Sequence, residues 1–398
     1  MTIAQRPAIA IAILADDLSG AAESAALFLD RDVSLRIDIG SIDDGTDTDV
    51  CVVDLGTRVM SPDEAAARVR ESIALLPSHV TVVKKIDSML RGHIAAEVES
   101  LLATGPVVFA AGLPALGRTV ENGVPHIDGV PLHFSGRWAM EPTEAPSSIT
   151  ELFGRVPTVA VASDDGPEAL RAAVDSGAVA VFDVRSDADL DAIVAVSANI
   201  PGVRLVGTSA LAAAVARTLD PRYRDAAAVN QDSVLVVVGT AESVAMQQVS
   251  ELVDAGATHV AVHVDELPQT HACADRVRSA LSDGTVVLSL AGPVDASRSA
   301  DISQALAGTV AEAVRGLSVS LALTGGETAR RVLDGLGVTA LRPVAEIHHG
   351  AVVSRTPAGE YVATRPGSFG GPDSLIAMAA YLHGTARTLS SSHSEALT

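Results

Sequence analysis

The stretch AIAIAILADDLSGAAESAALFLD, residues 8–30, carries the architecture in miniature. A short apolar run over 8–15 ends in two aspartates and passes straight into an Ala-rich segment of helical length. That is a β-strand feeding an α-helix, and the same unit recurs along the chain. Strands are expected at 8–15, 33–38, 50–55, 80–85, 106–111, 157–162, 179–183 and 203–207 in the first half. The second half places them at 233–238, 258–263, 285–290 and 318–323, then at 343–347, 350–355 and 360–364. Strands alternating with helices predict an α/β fold of mainly parallel sheets flanked by helices. The last three strands leave no room for helices between them, which predicts a small antiparallel addition near the C-terminus.

The polar segment LDPRYRDAAAVNQDS, 219–233, separates a helical run from the apolar strand SVLVVVG and reads as an interdomain linker. The expected domains are 1–220 and 232–390, with a disordered tail at 391–398 whose composition is small and polar. A length of 398 residues suits two domains. Hydrophobic residues make up 48% but aromatics only 3%, so the core must be built from Ala, Val, Leu and Ile. With 28 basic and 49 acidic residues the net charge is −21. Such a field repels nucleic acid and anionic lipid, so neither is expected as a partner. Cys51 and Cys273 lie too far apart in sequence to suggest a disulfide framework or a cysteine zinc site. No apolar run approaches the ~20 residues that span a bilayer, and the first is short for a signal peptide. A soluble, cytoplasmic protein is expected, and homo-oligomer formation is compatible with these features.

In open α/β sheets ligands bind at the carboxyl ends of the strands. The first strand ends in Asp16 and Asp17. Two carboxylates there suit a polyol hydroxyl, a Mg²⁺ ion or base chemistry, and equally the capping of the next helix. Of the 28 basic residues only Lys84 and Lys85 are lysines, side by side at the end of the fourth strand. A compact ammonium does what the planar guanidinium of Arg cannot. Strand alternation sends the two to opposite faces, so at most one of them points into a site. Asp87, Ser88 and Arg91 follow at once, and together these groups suit a polyhydroxy carboxylate. Arg58 follows the third strand. The segment 111–132 shows almost no period and reads as a long functional loop, with Arg118 as its ligand contact. His126 and His133 read as structural.

In the second half, Gly325-Gly326-Glu327-Thr328 joins a strand to a helix. Gly367-Ser368-Phe369-Gly370 and Gly239-Thr240 lie at comparable turns. Small residues there let backbone N–H groups approach phosphate, so three such turns point to a nucleotide site. A Walker A sequence is excluded, since no lysine exists outside 84–85, and no GxGxxG is present.

In this order, ADDLSGA (15–21), KKIDSMLRG (84–92), PALGRTVENGVPHIDGVPL (114–132), GGET (325–328) and GSFGG (367–371) resemble the motifs of the four-carbon acid sugar kinases. The resemblance runs over nearly the whole chain. It implies a sugar-acid-binding N-terminal domain, a nucleotide-binding C-terminal domain, and ATP-dependent phosphorylation of threonate, erythronate, 3-oxo-tetronates or related acids, with Mg²⁺. On residues and resemblance together, substrate is expected at Asp16, Asp17, Arg58, Lys85, Asp87, Ser88, Arg91 and Arg118. Asp17, Lys85, Asp87 and Arg91 are expected to act in catalysis, with Lys85 intolerant of Arg and Lys84 tolerant of it. Nucleotide is expected at Gly239, Thr240, Glu242, Gly325, Gly326, Glu327, Thr328, Gly367, Ser368, Phe369 and Gly370. Met89 and Ser19 stand where the family carries Thr, Glu242 closes a turn that usually reads GSCS, Arg365-Pro366 replaces Lys-Ser, and Glu141 replaces Asp. Two other readings stay open: a nicotinamide-dependent sugar-acid oxidoreductase and a non-catalytic sugar-acid sensor.

Overall fold

The computed structural model describes residues 9–43, 48–138, 143–162, 166–222, 229–240, 242–267, 270–292, 298–367 and 369–385. The expected tail at 391–398, the middle of the expected linker, Ala241, Ser368 and the Glu141-Pro142 departure lie outside the described residues. The chain divides into two compact units, Met1–Tyr223 and Arg224–Thr398.

The first unit begins β1 (Ile11–Ala15), α1 (Leu18–Ala26), β2 (Leu35–Ile39), β3 (Val50–Asp54), α2 (Pro62–Ala74), β4 (Thr81–Lys85), α3 (Ile94–Leu102) and β5 (Val107–Ala110). It continues with β6 (Arg118–Glu121), β7 (Val124–Ile127), β8 (Val130–Pro131), α4 (Ile149–Phe153), β9 (Thr158–Val161), α5 (Gly166–Asp175), β10 (Val179–Phe182), α6 (Asp187–Ser197), β11 (Arg204–Gly207) and α7 (Ser209–Arg217). The sheet order is β2-β3-β1-β4-β11-β5-β10-β9, and every neighbour is parallel. Each residue of β1 and β3 is buried, as a strand covered on both faces requires. Helices α2, α3 and α4 pack in succession, as do α1, α7, α6 and α5. Alanine-rich α1 comes close to the sheet because Ala21, Ala22 and Ala25 carry almost no bulk. Helix α2 starts with a capping box, Ser61 to Glu64, and Pro62 in its first turn, where a missing N–H costs nothing.

The register aligns the strand ends that matter. Ala15 pairs with Asp54 on one side and Lys85 on the other, and Lys85 pairs with Gly207. Residues just after these positions therefore emerge together. A Cβ at Gly207 would lie 2.3 Å from the Ala110 carbonyl oxygen, so the strands meet there only because the residue is glycine.

The segment 111–132 is not an irregular loop. It holds the three-stranded antiparallel sheet β6-β7-β8, with Thr119 opposite His126 and Ile127 opposite Val130. Its turns are Asn122-Gly123, at φ 52° and 73°, and Asp128-Gly129, at φ 50° and 78°. Positive φ at both central residues is the two-residue hairpin geometry that Asn-Gly and Asp-Gly favour. Strands of two to four residues containing Pro125 and Pro131 are too short to show a period, so the turn chemistry was the only local sign.

The second unit runs β12 (Val234–Val238), α8 (Ser243–Asp254), β13 (Thr258–His263), α9 (Thr270–Ala280), β14 (Thr285–Ala291), α10 (Ser299–Val314), β15 (Ser320–Thr324), α11 (Gly326–Gly335), β16 (Ala340–His348), β17 (Ala351–Arg355), β18 (Tyr361–Arg365) and α12 (Ser374–Leu382). Its order is β13-β14-β12-β15-β18-β17-β16. The first five strands are parallel; β17 and β16 add to the β18 edge antiparallel, as the close spacing of the last three strands predicts. Among the described residues no helix is long and apolar enough to cross a membrane.

Candidate functional site

At the carboxyl ends of β1, β3 and β4 the first unit gathers a cluster of opposite charges. Arg58 donates to Asp16 Oδ2 from Nε (3.0 Å) and Nη2 (2.7 Å), and to Asp17 Oδ2 from Nη1 (2.9 Å). Its Nη2 also lies 3.6 Å from Asp87 Oδ1. Arg91 grips Asp87 with two parallel bonds, Nε to Oδ2 at 2.9 Å and Nη2 to Oδ1 at 2.7 Å. Met89 N donates to the same carboxylate at 2.9 Å. The chain turns back sharply enough for this because Leu90 sits in the left-handed region, at φ 62°, an unusual conformation for a bulky residue.

Lys85 lies on the α1 side. Its Nζ is 3.9 Å from Glu23 Oε2, and Ser209 Oγ donates to Glu23 Oε1 at 2.7 Å. A Cβ at Gly20 would come within 2.4 Å of Lys85 Nζ and 2.8 Å of Asp17 Oδ1, so glycine leaves the ammonium its place. Arg118, delivered by β6, donates to Ser88 Oγ. The eight residues assigned to substrate from sequence thus meet in one place. Asp17 also caps α1, accepting from Gly20 N at 2.8 Å, so the capping reading holds alongside the ion pair. Glu23 and Ser209 join the cluster unannounced by the sequence reading. Glu23 is the one carboxylate within an otherwise buried, small-residue helix, which was a usable signal; Ser209 had none.

Lys84 faces away, towards α3. It is fully buried, 3.2 Å from Glu97 Oε2, and donates to the Lys85 carbonyl at 3.1 Å. Alternation along β4 therefore holds. An arginine at Lys84 would have to fit its larger head group inside this buried ion pair, which bears on the tolerance expected there.

The electrostatics follow from burial and neighbours. Burial opposes ionisation of Asp16, but the charges of Arg58, Lys85 and Lys84 outweigh it and hold its carboxyl below the usual range. Burial likewise acts against Asp87, yet the Arg91 hydrogen bonds and the Arg58 charge hold it far below the carboxylate norm. Lys85 is desolvated, but Glu23, Asp16 and Asp17 push its ammonium above the ordinary lysine value. Arg118 is shifted down by burial, against the pull of Asp87. Two groups are left with unused capacity. Asp16 Oδ1 is buried without a hydrogen-bond partner among the described residues, and Arg118 makes no carboxylate ion pair among them.

In the second unit three glycine turns converge because β12, β15 and β18 are neighbours, with Thr324 opposite Val238 and Arg365. A Cβ at Gly239 would strike Thr328 Oγ1 at 2.2 Å, and one at Gly325 would lie 3.9 Å from Gly367 Cα. Gly325, at φ 85°, donates its N–H to the Arg365 carbonyl at 2.9 Å. Helix α11 opens at Gly326 with Glu327 in its first turn. Glu242 occupies the N-cap of α8 without a side-chain capping bond, and its N–H donates to Thr240 Oγ1 at 3.2 Å. Gln248 Nε2 donates to the carbonyls of Phe369, Gly370 and Gly371. The expected nucleotide residues that are described therefore border these three neighbouring turns.

Residues 11–215 match a family model described as a sugar-binding N-terminal domain, and residues 235–375 one described as a nucleotide-binding C-terminal domain. The chain is 29% identical to a D-threonate kinase of Cupriavidus necator, over 91% of this chain and 95% of that protein. It is 30% identical to a 3-oxo-tetronate kinase of Methylobacterium radiotolerans (92% and 97%) and 29% identical to a D-erythronate kinase of Heliobacterium modesticaldum (86% and 81%). Among solved structures, the fold is similar to a Salmonella typhimurium protein, with TM-score 0.75 and 22% identity over 92% of this chain and 98% of the other. A Haemophilus influenzae protein aligns with TM-score 0.72 and 20% identity over 93% and 100%.

Proposed function

The chain belongs to the four-carbon acid sugar kinase family, and from that premise we propose that it transfers the γ-phosphoryl group of ATP to a hydroxyl of a short sugar acid such as threonate, erythronate or a 3-oxo-tetronate. The observation that carries this reading is the mixed-charge cluster of the first unit, in which Arg118 and Asp16 Oδ1 keep capacity for a ligand. A sugar acid offers the complement: one carboxylate for a guanidinium and several hydroxyls for carboxylate and hydroxyl acceptors. Arg118 would pair the substrate carboxylate. Asp16 Oδ1 would accept the hydrogen of the reacting hydroxyl, while Arg58 fixes the other oxygen of the same carboxylate. The hydroxyl oxygen forms the new P–O bond, the bond to the β-phosphate oxygen breaks, and ADP leaves. A loose transition state asks little basicity of the acceptor, so an Asp16 held below the usual range suffices. The raised Lys85 ammonium is charged throughout and would meet negative charge on the transferring group. Asp17, Asp87, Ser88 and Arg91 would orient these groups.

ATP would enter at the three glycine turns of the second unit. Their missing Cβ atoms and the N-terminus of α11 suit phosphate. Mg²⁺ would come with the nucleotide, since such an ion commonly takes one or two carboxylates beside phosphate oxygens and water; Glu242, Glu327 and Asp373 are carboxylates that border the turns.

An ADP-release assay over C4 and C5 sugar acids, 3-oxo forms included, tests the proposal. Turnover with at least one four-carbon acid is expected. Binding of the acids without ADP release would favour a sensor, and an absorbance change with nicotinamide cofactor would favour an oxidoreductase.

A further inference from the structure

Arg365 is the largest fully buried side chain among the described residues, and both of its acceptors are neutral. Its guanidinium donates to Gln248 Oε1 at 2.5 Å and to the Phe369 carbonyl. Among the described residues no carboxylate forms an ion pair with it, and its Nε is buried without an acceptor. Desolvation alone brings its pKa down to about 10. A buried cation with no counter-charge is costly unless something anionic completes the site.

The surrounding backbone indicates where that anion would sit. Gln248, itself fully buried, holds the carbonyls of Phe369, Gly370 and Gly371 at 3.3, 3.3 and 2.9 Å. In a trans peptide the N–H points opposite to the C=O, and no cis bond occurs in the described chain. Carbonyls of 369 and 370 turned inward therefore turn the N–H groups of Gly370 and Gly371 outward. Neither N–H has an acceptor among the described residues. The next peptide ends in Pro372, which has no N–H to offer. Gly370 is at φ 84°, and a Cβ there would strike Ser374 Oγ at 2.7 Å, so the loop holds this shape only with glycine.

We propose that Arg365 and Gln248 form a buried clamp that turns the Gly370 and Gly371 N–H groups outward as a polyphosphate subsite, with the Arg365 charge behind it as counter-charge. Arg365 acts here as a positioning residue, through the loop. The inference deepens the nucleotide reading and rests on it for the ligand's identity, not for its charge class.

Titration calorimetry of the full chain with AMP, ADP, ATP and inorganic tripolyphosphate tests it, alongside melting temperatures. Wild-type affinity should rise with phosphate number. Arg365→Met should weaken ATP and tripolyphosphate by about tenfold or more and AMP by less than about threefold, since a charge acting through a protein interior favours the more highly charged ligand. Arg365→Lys should retain most of the gradation. Gln248→Glu, which supplies a counter-charge while leaving Arg365 in place, should flatten it and serves if Arg365→Met fails to fold. Equal losses for AMP and ATP in the neutral and charged variants alike, tracking a lowered melting temperature, would overturn the proposal. So would unchanged ATP and tripolyphosphate affinity in Arg365→Met. A wild-type chain that binds tripolyphosphate through Arg365 but no nucleotide would keep the anion subsite and refute the ATP reading instead.

Discussion

Lys84 and Lys85 are neighbours in sequence but answer to different parts of the protein. Lys85 lies between Glu23 and the aspartates of the cluster, against Gly20, with no space for a flat, larger guanidinium. Lys85→Arg and Lys85→Ala should each lose on the order of 10²-fold in kcat/KM, since a positioned charge of this kind supplies roughly 2–4 kcal/mol to a transition state. Lys84→Met should act on stability, because it removes the ammonium partner of Glu97, which is 2% exposed and keeps a hydrogen bond from Thr57 Oγ1; removing one partner of a buried pair costs about 3–5 kcal/mol. Melting curves and steady-state kinetics on the two variants separate the roles, and a Lys84 variant that melts like wild type would refute the assignment. The exclusive use of lysine at this pair was legible in sequence and located the cluster. That Lys84 is sealed against Glu97 was not, because Glu97 arrives from another element with no spacing rule linking the two.

At the scale of elements, the hairpin sheet β6-β7-β8 delivers Arg118, and its first turn is held from outside. Asp183, just beyond β10, accepts from the N–H groups of Asn122 (2.6 Å) and Gly123 (2.9 Å). Charged hydrogen bonds of this type contribute about 1.5–3 kcal/mol each. Asp183→Ala should loosen the turn and raise KM for the sugar acid about tenfold or more, by the factor of ten per ~1.4 kcal/mol, while leaving nucleotide affinity unchanged. An unaltered KM would show that Arg118 is held without this turn. The Asn-Gly and Asp-Gly pairs were visible in the sequence, but their strands were too short to announce themselves. The principal strands were legible within a few residues, because fully buried parallel strands such as Val234–Val238 read as unbroken apolar runs.

For the whole molecule, the compact units Met1–Tyr223 and Arg224–Thr398 support a proposed division into independently melting domains around 219–233. Their acid responses should differ. Asp16 and Asp87 of the first unit have folded pKa values below the unfolded value near 3.9. A depressed carboxyl contributes stability that is fully present above the unfolded pKa and is lost as pH falls through the folded one. Calorimetry of the full chain should therefore show two transitions, with the first unit's falling more steeply below about pH 4, and Asp87→Asn should flatten that dependence. A single transition, or equal acid slopes, would contradict this. The sequence by itself determined the α/β class, the positions of the principal strands and the residue types gathered at the strand ends, because periodicity, turn chemistry and the placing of rare residues are local. Only the tertiary structure decided that β1, β3 and β4 align so that Asp16, Arg58 and Asp87 meet in one cluster of charges, that Glu23 and Ser209 join them, and that Arg365 is buried without a counter-charge among the described residues. Those facts depend on register, packing and desolvation between segments far apart in the chain, which no local pattern encodes.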